Sequence, residues 1–368
     1  MERKAFIIHI MADQVFNDMA IRELERSAPG IHEYCILSSA IRKTKSALAK
    51  STTKRHVREA VSRPDTKVVI FHSIPPAWYS LIRSIPKGVR IVWIGMGFDY
   101  YSLIGGPLVL PSTQKHVATS WCRQVRAMLL HAYLNVEFAP RKSLQNQLLR
   151  VDFFAPVLDS EFDLVVHNFS LNAAYLDWNY GTVEDDFEPQ VRTATKDQIH
   201  ILAGNSAYET NNHFEIIDAL RANQKLSESY VYMPLSYGRP HYRDSVISYG
   251  QRTLGDSFRP LTEFMPMNDY NELIGSCGFV VMNHLRQQGL GNIITALLSG
   301  SKVYLNPLNP LYQWFTSRGA HIGSTEHIDL VPLSNSEISD NRAVVMTHWS
   351  REAQQLRVDE FVRVLLAD

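Results

Sequence analysis

Short β-branched or aromatic runs recur along this chain between stretches of helix length, and that alternation constrains its fold more than any other feature. Phe6–Ile10, Tyr34–Leu37, Val68–His72, Val89–Ile94 and Leu164–His167 form one series. A second runs through Gln198–Leu202, Tyr230–Met233, Phe279–Met282 and Lys302–Leu305, with helical patterns at Phe214–Arg221, Asn268–Ser276 and Asn292–Ser299 between them. Strands alternating with helices predict β-α units and parallel sheets. With 368 residues and 45% apolar content, the chain can bury two cores. The acidic, turn-rich stretch Asp177–Pro189, which holds Glu184, Asp185, Asp186 and Glu188, reads as the linker between the series. The expectation is an α/β protein of two Rossmann-like domains, 1–185 and 186–345, closed by a C-terminal helix in 346–368. That helix is the amphipathic segment Ser350–Leu366, with Ala353, Leu356, Val358, Phe361 and Val362 on its apolar side.

Several classes are excluded at this level. Lys+Arg and Asp+Glu both number 37, so net charge gives no reason to expect a nucleic-acid partner. Cys35, Cys122 and Cys277 are odd in number and far apart, which suits neither a disulfide framework nor a zinc site and fits a reducing cytoplasm. The apolar Ala5–Ile10 after Met1 is too short for a secretory signal, and it reads as a strand. No run of about 18 apolar residues is present, so any membrane contact would be peripheral.

The segment Asn283-His284-Leu285-Arg286-Gln287-Gln288-Gly289-Leu290-Gly291-Asn292 follows an apolar strand and opens a helix. Free amides and the positive dipole end at a helix start favour phosphate, glycines permit close approach, and Arg286 adds charge-assisted contacts. It holds more hydrogen-bonding side chains than a plain βα turn needs. Gly204, Asn205 and Ser206 follow the strand Gln198–Leu202, and Asn212 and His213 precede the next helix, where Asn212 reads equally as a cap. Ser236 and Tyr237 sit in the loop Pro234–Gly238 on the same strand edge. The loop of Glu263, Phe264 and Met265, before Pro266, can offer backbone groups to a flat base, or can simply end a core strand. A Gly-x-Gly-x-x-Gly fingerprint with a downstream acid and a Walker lysine are both missing, which argues against a dehydrogenase or an NTPase. No Asp-x-Asp occurs, so a metal clamping the diphosphate is not indicated, and no cofactor is expected.

In the first half, groups suited to acid-base work stand at strand ends: His9 with Asp13, His72, His167, and Asp99 in Gly95-Met96-Gly97-Phe98-Asp99. A glycine-loosened loop makes Asp99 cheap to expose and expensive to bury. Two stretches are basic. Arg42–Lys67 holds nine Lys/Arg (positions 42, 43, 45, 50, 54, 55, 58, 63 and 67) against Glu59 and Asp65, and Trp121–Arg150 holds five (123, 126, 141, 142 and 150) against Glu137. The second is interleaved with Trp121, Met128, Tyr133 and Phe138. Cations beside an apolar face suit an anionic bilayer or a polyprenyl diphosphate, and a solvated surface is the plainer reading.

Taken together, Asn283-His-x-Arg-Gln-Gln-x-x-Gly-Asn, Gly204-Asn-Ser, Asn212-His213, Pro234-Leu-Ser-Tyr-Gly, Phe264-Met-Pro and Asn309-Pro310 resemble the bacterial 4-acetamido-4,6-dideoxygalactose (Fuc4NAc) transferases, glycosyltransferase family 56. The resemblance is strongest from about Ile201 to Gly319. It implies a GT-B fold with two Rossmann-like domains facing across a cleft. It further implies a dTDP-sugar donor on the second domain and a lipid-linked acceptor on the first, at the cytoplasmic face of a bacterial inner membrane. Arg286, Gln287, Gly289 and Asn292 would then hold the diphosphate, and Gly204, Asn205 and Ser206 would complete the site. Where the family has Trp-Gly-x-Asp, this chain has Met96-Gly97-Phe98-Asp99, which keeps Asp99 in register as the acceptor-side carboxylate. A GT-B transferase with a soluble or protein acceptor, and a non-catalytic nucleotide-sugar-binding module, are the alternative readings.

Overall fold

The computed structural model describes residues 7–117, 146–187, 200–223, 226 and 229–367. Strands buried on both faces read as near-continuous apolar runs, and apart from His9 and His72 the β-branched runs do so: β1 (Ile7–Met11), β4 (Val68–His72) and β11 (Phe279–Met282) are buried along their whole length. In one parallel sheet the order is β3-β2-β1-β4-β5-β6-β7, with β2 His32–Leu37, β3 Ala49–Thr52, β5 Arg90–Ile94, β6 Phe153–Ala155 and β7 Ala174–Tyr175. In the other it is β10-β9-β8-β11-β12-β13, with β8 Ile201–Ala203, β9 Val231–Pro234, β10 Phe258–Leu261, β12 Lys302–Leu305 and β13 Gly323–Ser324. The longer helices are α1 (Asn17–Ser27), α2 (Lys54–Val61), α3 (Pro111–Val117), α4 (Ser160–Phe169), α5 (His213–Arg221), α6 (Pro240–Leu254), α7 (Met267–Ser276), α8 (Leu290–Ser299), α9 (Pro310–Thr316), α10 (Asn335–Trp349) and α11 (Arg351–Leu366).

The described residues fall into two compact units. The first draws on Met1–Gly105, Ala132–Thr182 and Trp349–Asp368, the second on Gly106–His131 and Val183–His348. This division corrects the expected boundaries twice. Residues after Gly105 join the second unit because Leu110 N donates to Asn212 Oδ1 (2.8 Å), Thr113 N donates to Glu215 Oε1 (2.9 Å), and the His116 ring stacks on Phe214. Helix α11, expected as a separate closing element, belongs to the first unit: it packs on α1 and buries Val358, Phe361, Val362 and Leu365 in that core.

Two expected elements also change. Leu164–His167 lies within α4, whose Asp159 carboxylate accepts from Ser160 N and whose first turn carries Glu161 and Asp163, both favourable at a helix start. His167 is therefore an exposed helix residue bonded to its own turn (Nδ1···Asp163 O, 2.7 Å), not a strand-end group. The supposed linker buries Trp178, Tyr180, Val183 and Phe187, so it is packed chain up to residue 187, with Glu188 and Pro189 outside the described residues. Most of Trp121–Arg150 also lies outside them. Cys35 and Cys277 are free and buried. Among the described residues no helix is long and apolar enough to cross a membrane.

Candidate active site

In parallel α/β sheets, loops at the carboxyl ends of the strands diverge where the strand order reverses, and ligands bind there. In the second unit that point lies between β8 and β11. The loop after β8 is Gly204–Ser206, and the loop after β11 is Asn283–Gly289, so the two segments singled out in the sequence flank it. Hydrogen bonds tie them together. Gln288 Nε2 donates to Asn205 Oδ1 (3.0 Å) while its oxygen accepts from Thr210 (3.0 Å), and His284 Nε2 meets Asn211 Oδ1 at 2.9 Å. Asn211 Oδ1 also accepts from Asn205 N (2.8 Å), and Asn211 Nδ2 donates to Ser206 Oγ (3.1 Å).

The backbone at this edge leaves little choice of residue. Gly204 has φ +72°, and a Cβ there would lie 2.6 Å from His213 Nε2 and 3.0 Å from Asn211 Oδ1. Gly289 is the left-handed N-cap of α8, and no side chain caps that helix or places an acid in its first turn. The amides of Leu290, Gly291 and Asn292 thus form an electropositive end, with Arg286 in the loop before it. Arg286 Nη1 donates to the Gln287 carbonyl (2.9 Å), and Asn292 Nδ2 to the Tyr270 hydroxyl (2.9 Å). Gly291 approaches Phe187 so closely that an added Cβ would sit 3.3 Å from its ring.

Several expected donor contacts turn out to be braces. Ser206, Asn212, His213 and His284 are buried. Asn212 adopts a left-handed conformation without capping α5, and its amide instead joins Asn283 O (2.8 Å) and Leu110 N (2.8 Å), which corrects both the cap and the ligand reading. His213 Nδ1 pairs with Tyr242 OH (3.0 Å), and its Nε2, like Nδ1 of His284, is buried without a hydrogen-bond partner. Burial lowers the His213 pKa to about 3; burial, then the charges of Arg286 and His213, lower that of His284 well below the ordinary value. Both rings are neutral; His213 packs against Gly204 and His284 holds Asn211. Tyr237 is exposed beside Ser236, and Phe264 is 86% exposed, flanked by Glu263 and Met265, so the plain core-strand ending does not hold. Among the described residues no hydrogen bond joins Glu263, Phe264 or Met265 to the β8–β11 loops, whereas the Tyr237 carbonyl accepts from Ala207 N (2.7 Å), directly after Ser206. Sequence reasoning missed the bond triad under the site, where Asn283 Oδ1 accepts from Asn306 Nδ2 (2.9 Å) and Thr325 Oγ1 (2.8 Å). Asn306 directly follows β12, and that position was its only signal.

In the first unit the reversal lies between β1 and β4. Asp99 lies one strand away, after β5, as a buried carboxylate, 2% exposed, accepting from Ile74 N (3.0 Å), Trp93 Nε1 (2.8 Å) and Met96 N (2.9 Å). Burial pushes its pKa up despite those donors. The expected exposed carboxylate is thus a loop staple, because three converging N–H groups make burial affordable. Asp13 stands apart from His9. Its oxygens accept from Arg42 N (2.7 Å), Lys43 N (3.0 Å), Thr44 N (2.9 Å) and Thr44 Oγ1 (2.9 Å). Slight burial raises its pKa, and these donors more than reverse that. His9 and His72 are buried and bonded to one another (3.1 Å).

Glu33, Cys35 and His56 place possible metal ligand atoms within 4.8 Å of one another. The Arg63 guanidinium already holds the Glu33 carboxylate (2.5 Å), and burial pushes the Cys35 thiol up to about 12, so this cluster is an ion pair beside a protonated thiol.

Two parallel units of this kind match solved sugar-transferring enzymes over almost their whole length. A glycosyltransferase from Rickettsia africae superposes with TM-score 0.61 at 13% identity, covering 99% of each chain. A UDP-forming trehalose-phosphate synthase from Burkholderia xenovorans gives 0.63 at 10% identity over 98% of each, and a sucrose-phosphate synthase from Thermosynechococcus elongatus 0.58 at 10% over 98% of each. The fold is GT-B, and the protein is a glycosyltransferase. Residues 180–329 match the family described as 4-alpha-L-fucosyltransferase, glycosyl transferase group 56, which includes both loops of the β8–β11 site.

Proposed function

We propose that the protein transfers a Fuc4NAc-like deoxy-amino sugar from a dTDP-sugar to a polyprenyl-diphosphate-linked glycan, without a metal, at the cytoplasmic face of a bacterial inner membrane. The observation that carries the donor half is the uncapped α8 N-terminus, with Arg286 before it, at the β8–β11 reversal. Fixed amides and a guanidinium aimed at a departing diphosphate supply the charge stabilisation a cation would otherwise give. The dTDP-sugar and the acceptor rest on the resemblance of the loop motifs to family 56.

A surface of the first unit supports an anionic lipid partner. Five successive amides, Arg42 to Ser46, are pinned by Asp13 and Asp18 (Lys45 N 3.0 Å, Ser46 N 2.8 Å), which holds the backbone of Arg42, Lys43 and Lys45 in place. Those three side chains are exposed and carry no ion pair among the described residues, and exposed Val15, Phe16 and Leu48 belong to the same loops. Cations beside apolar tips fit an anionic membrane surface.

The test is a thermal-shift panel of dTDP, UDP and GDP in excess EDTA, since a true ligand raises stability by mass action. We expect dTDP to give the largest shift. Arg286→Ala should weaken dTDP binding by about 1.5–3 kcal/mol, the range of a charged hydrogen bond. Equal shifts from all three nucleotides, or a dTDP shift that needs magnesium, would refute the donor assignment.

A further inference from the structure

Two loops leave the carboxyl edge of the first sheet side by side, one after β1 and one after β2, and both expose apolar side chains. Val15 and Phe16 stand on the first and Leu48 on the second, each 40–50% exposed. Buried polar groups lock the loops to one another. Asn17 Nδ2 donates to Ala12 O (2.7 Å) and to Thr44 Oγ1 (2.8 Å), and Thr44 Oγ1 donates to Asp13 Oδ1 (2.9 Å). The buried Tyr180 ring lies 5.9 Å from that of Phe16 and supports its inner side.

Phe16 is an unfavourable choice where it stands. It is the N-cap of α1, a position that favours Ser, Thr, Asp or Asn, and it offers no side-chain cap. Natural sequences break such local rules chiefly at functional or strained places. The charges are sorted as well. The carboxylates of Asp13 and Asp18 are taken up by the amides of Arg42 to Ser46, whereas the side chains of Arg42, Lys43 and Lys45 are exposed, so the outward charge of both loops is positive. Three tips on two separate loops offer far less than the ~800 Å² that a stable protein interface buries on each partner. A bilayer needs no matching surface, and cations beside apolar tips are what an anionic one attracts.

We propose that Val15, Phe16 and Leu48 are a fixed wedge that enters the bilayer below its phosphates, with Arg42, Lys43 and Lys45 at phosphate level, so that the carboxyl edge of the first sheet faces the membrane. This rests on the reading of an anionic membrane partner and adds depth and direction to it. Charge attraction alone would hold the protein at the surface in no single pose, whereas the wedge anchors it in one. The loops are already locked, so insertion costs little further ordering. Salt separates the two contributions, because it screens the cations and leaves the burial of apolar area in place. The loop after β1 also borders the β1–β4 reversal. A lipid-linked diphosphate, whose charged head lies at phosphate level, meets that edge without leaving the bilayer.

The experiment uses the full chain with vesicles of phosphatidylglycerol and phosphatidylcholine. With lipids brominated on their acyl chains, Phe16→Trp should be quenched beyond the wild type, whose six tryptophans set the background. In 1 M NaCl, where the screening length falls to about 3 Å, the wild type should keep measurable binding. The triple variant Val15→Ser, Phe16→Ser, Leu48→Ser should bind about 10-fold or more weakly there, with its melting temperature unchanged. Phe16→Trp quenched no more than the wild type, wild-type binding wholly lost in 1 M NaCl, or a folded triple variant that binds like the wild type would overturn the wedge and leave the electrostatic contact standing. If the triple variant melts early, the quenching of Phe16→Trp decides alone. A dimer in ultracentrifugation that the triple variant abolishes would assign the tips to a second copy of the chain instead. A wild type that sediments with no vesicle at any salt concentration would sink the membrane reading, and the wedge with it.

Discussion

Asp99 illustrates how a carboxylate can be stored in a protein interior. Both oxygens are occupied, one by Ile74 N and Trp93 Nε1 and the other by Met96 N, which joins the ends of β4 and β5 to the loop after β5. Asp99→Asn turns one oxygen into a donor facing donors. It should lower stability by about 1–3 kcal/mol, the cost of a buried unpaired polar group, and a melting temperature equal to wild type would contradict the staple. The buried histidines set a pH dependence. His9, His32, His72, His213 and His284 all have folded pKa values below the ordinary His range, chiefly because of burial. The unfolded chain then binds more protons below about pH 6.5, so their contribution is complete above that value and is lost as pH falls toward 4 and 3. Urea midpoints should drop between pH 7 and pH 5, and His213→Gln should flatten the drop by about 1.4 kcal/mol per pH unit. A midpoint constant across that range would refute this.

Among the elements, the loop from Arg42 to Ser46 is pinned because two carboxylates occupy five amides in a row. Charge reversal of Arg42, Lys43 and Lys45 to Glu should therefore leave the backbone in place and abolish binding to vesicles rich in phosphatidylglycerol, with dTDP binding unchanged. Sedimentation equal to wild type would remove this surface from membrane contact. The strands β1, β2, β4, β5, β8, β9, β11 and β12 and the β8 and β11 loops were legible because apolar runs and glycine-bearing turns are local signals. Leu164–His167 was misread because four apolar or amphipathic residues fit either period, and the decision belongs to Asp159 and Ser170 at the helix ends. The strands β3, β6, β7, β10 and β13 were missed because none carries an apolar run of four residues. The roles of Asp13, Asp99 and the buried His9–His72 pair were out of reach. Partners such as His9 and His72 are 63 residues apart, and nothing in the order of residues marks them as neighbours.

For the whole molecule, the units are woven rather than laid end to end, since each draws on separated segments. Removal of Arg351–Leu366 should therefore harm the first unit, although that segment follows the second in sequence. Calorimetry should lose the first unit's transition and keep one that dTDP raises, and retention of both would contradict the assignment of α11. The weave also orders events during synthesis. Domains fold as units while the chain emerges, yet the first unit, begun before the second, lacks Val358, Phe361 and Leu365 until α11 leaves the ribosome. The second unit, begun later, is complete at His348. The unit that is started first is finished last, and until α11 emerges its opened core is a surface for chaperones.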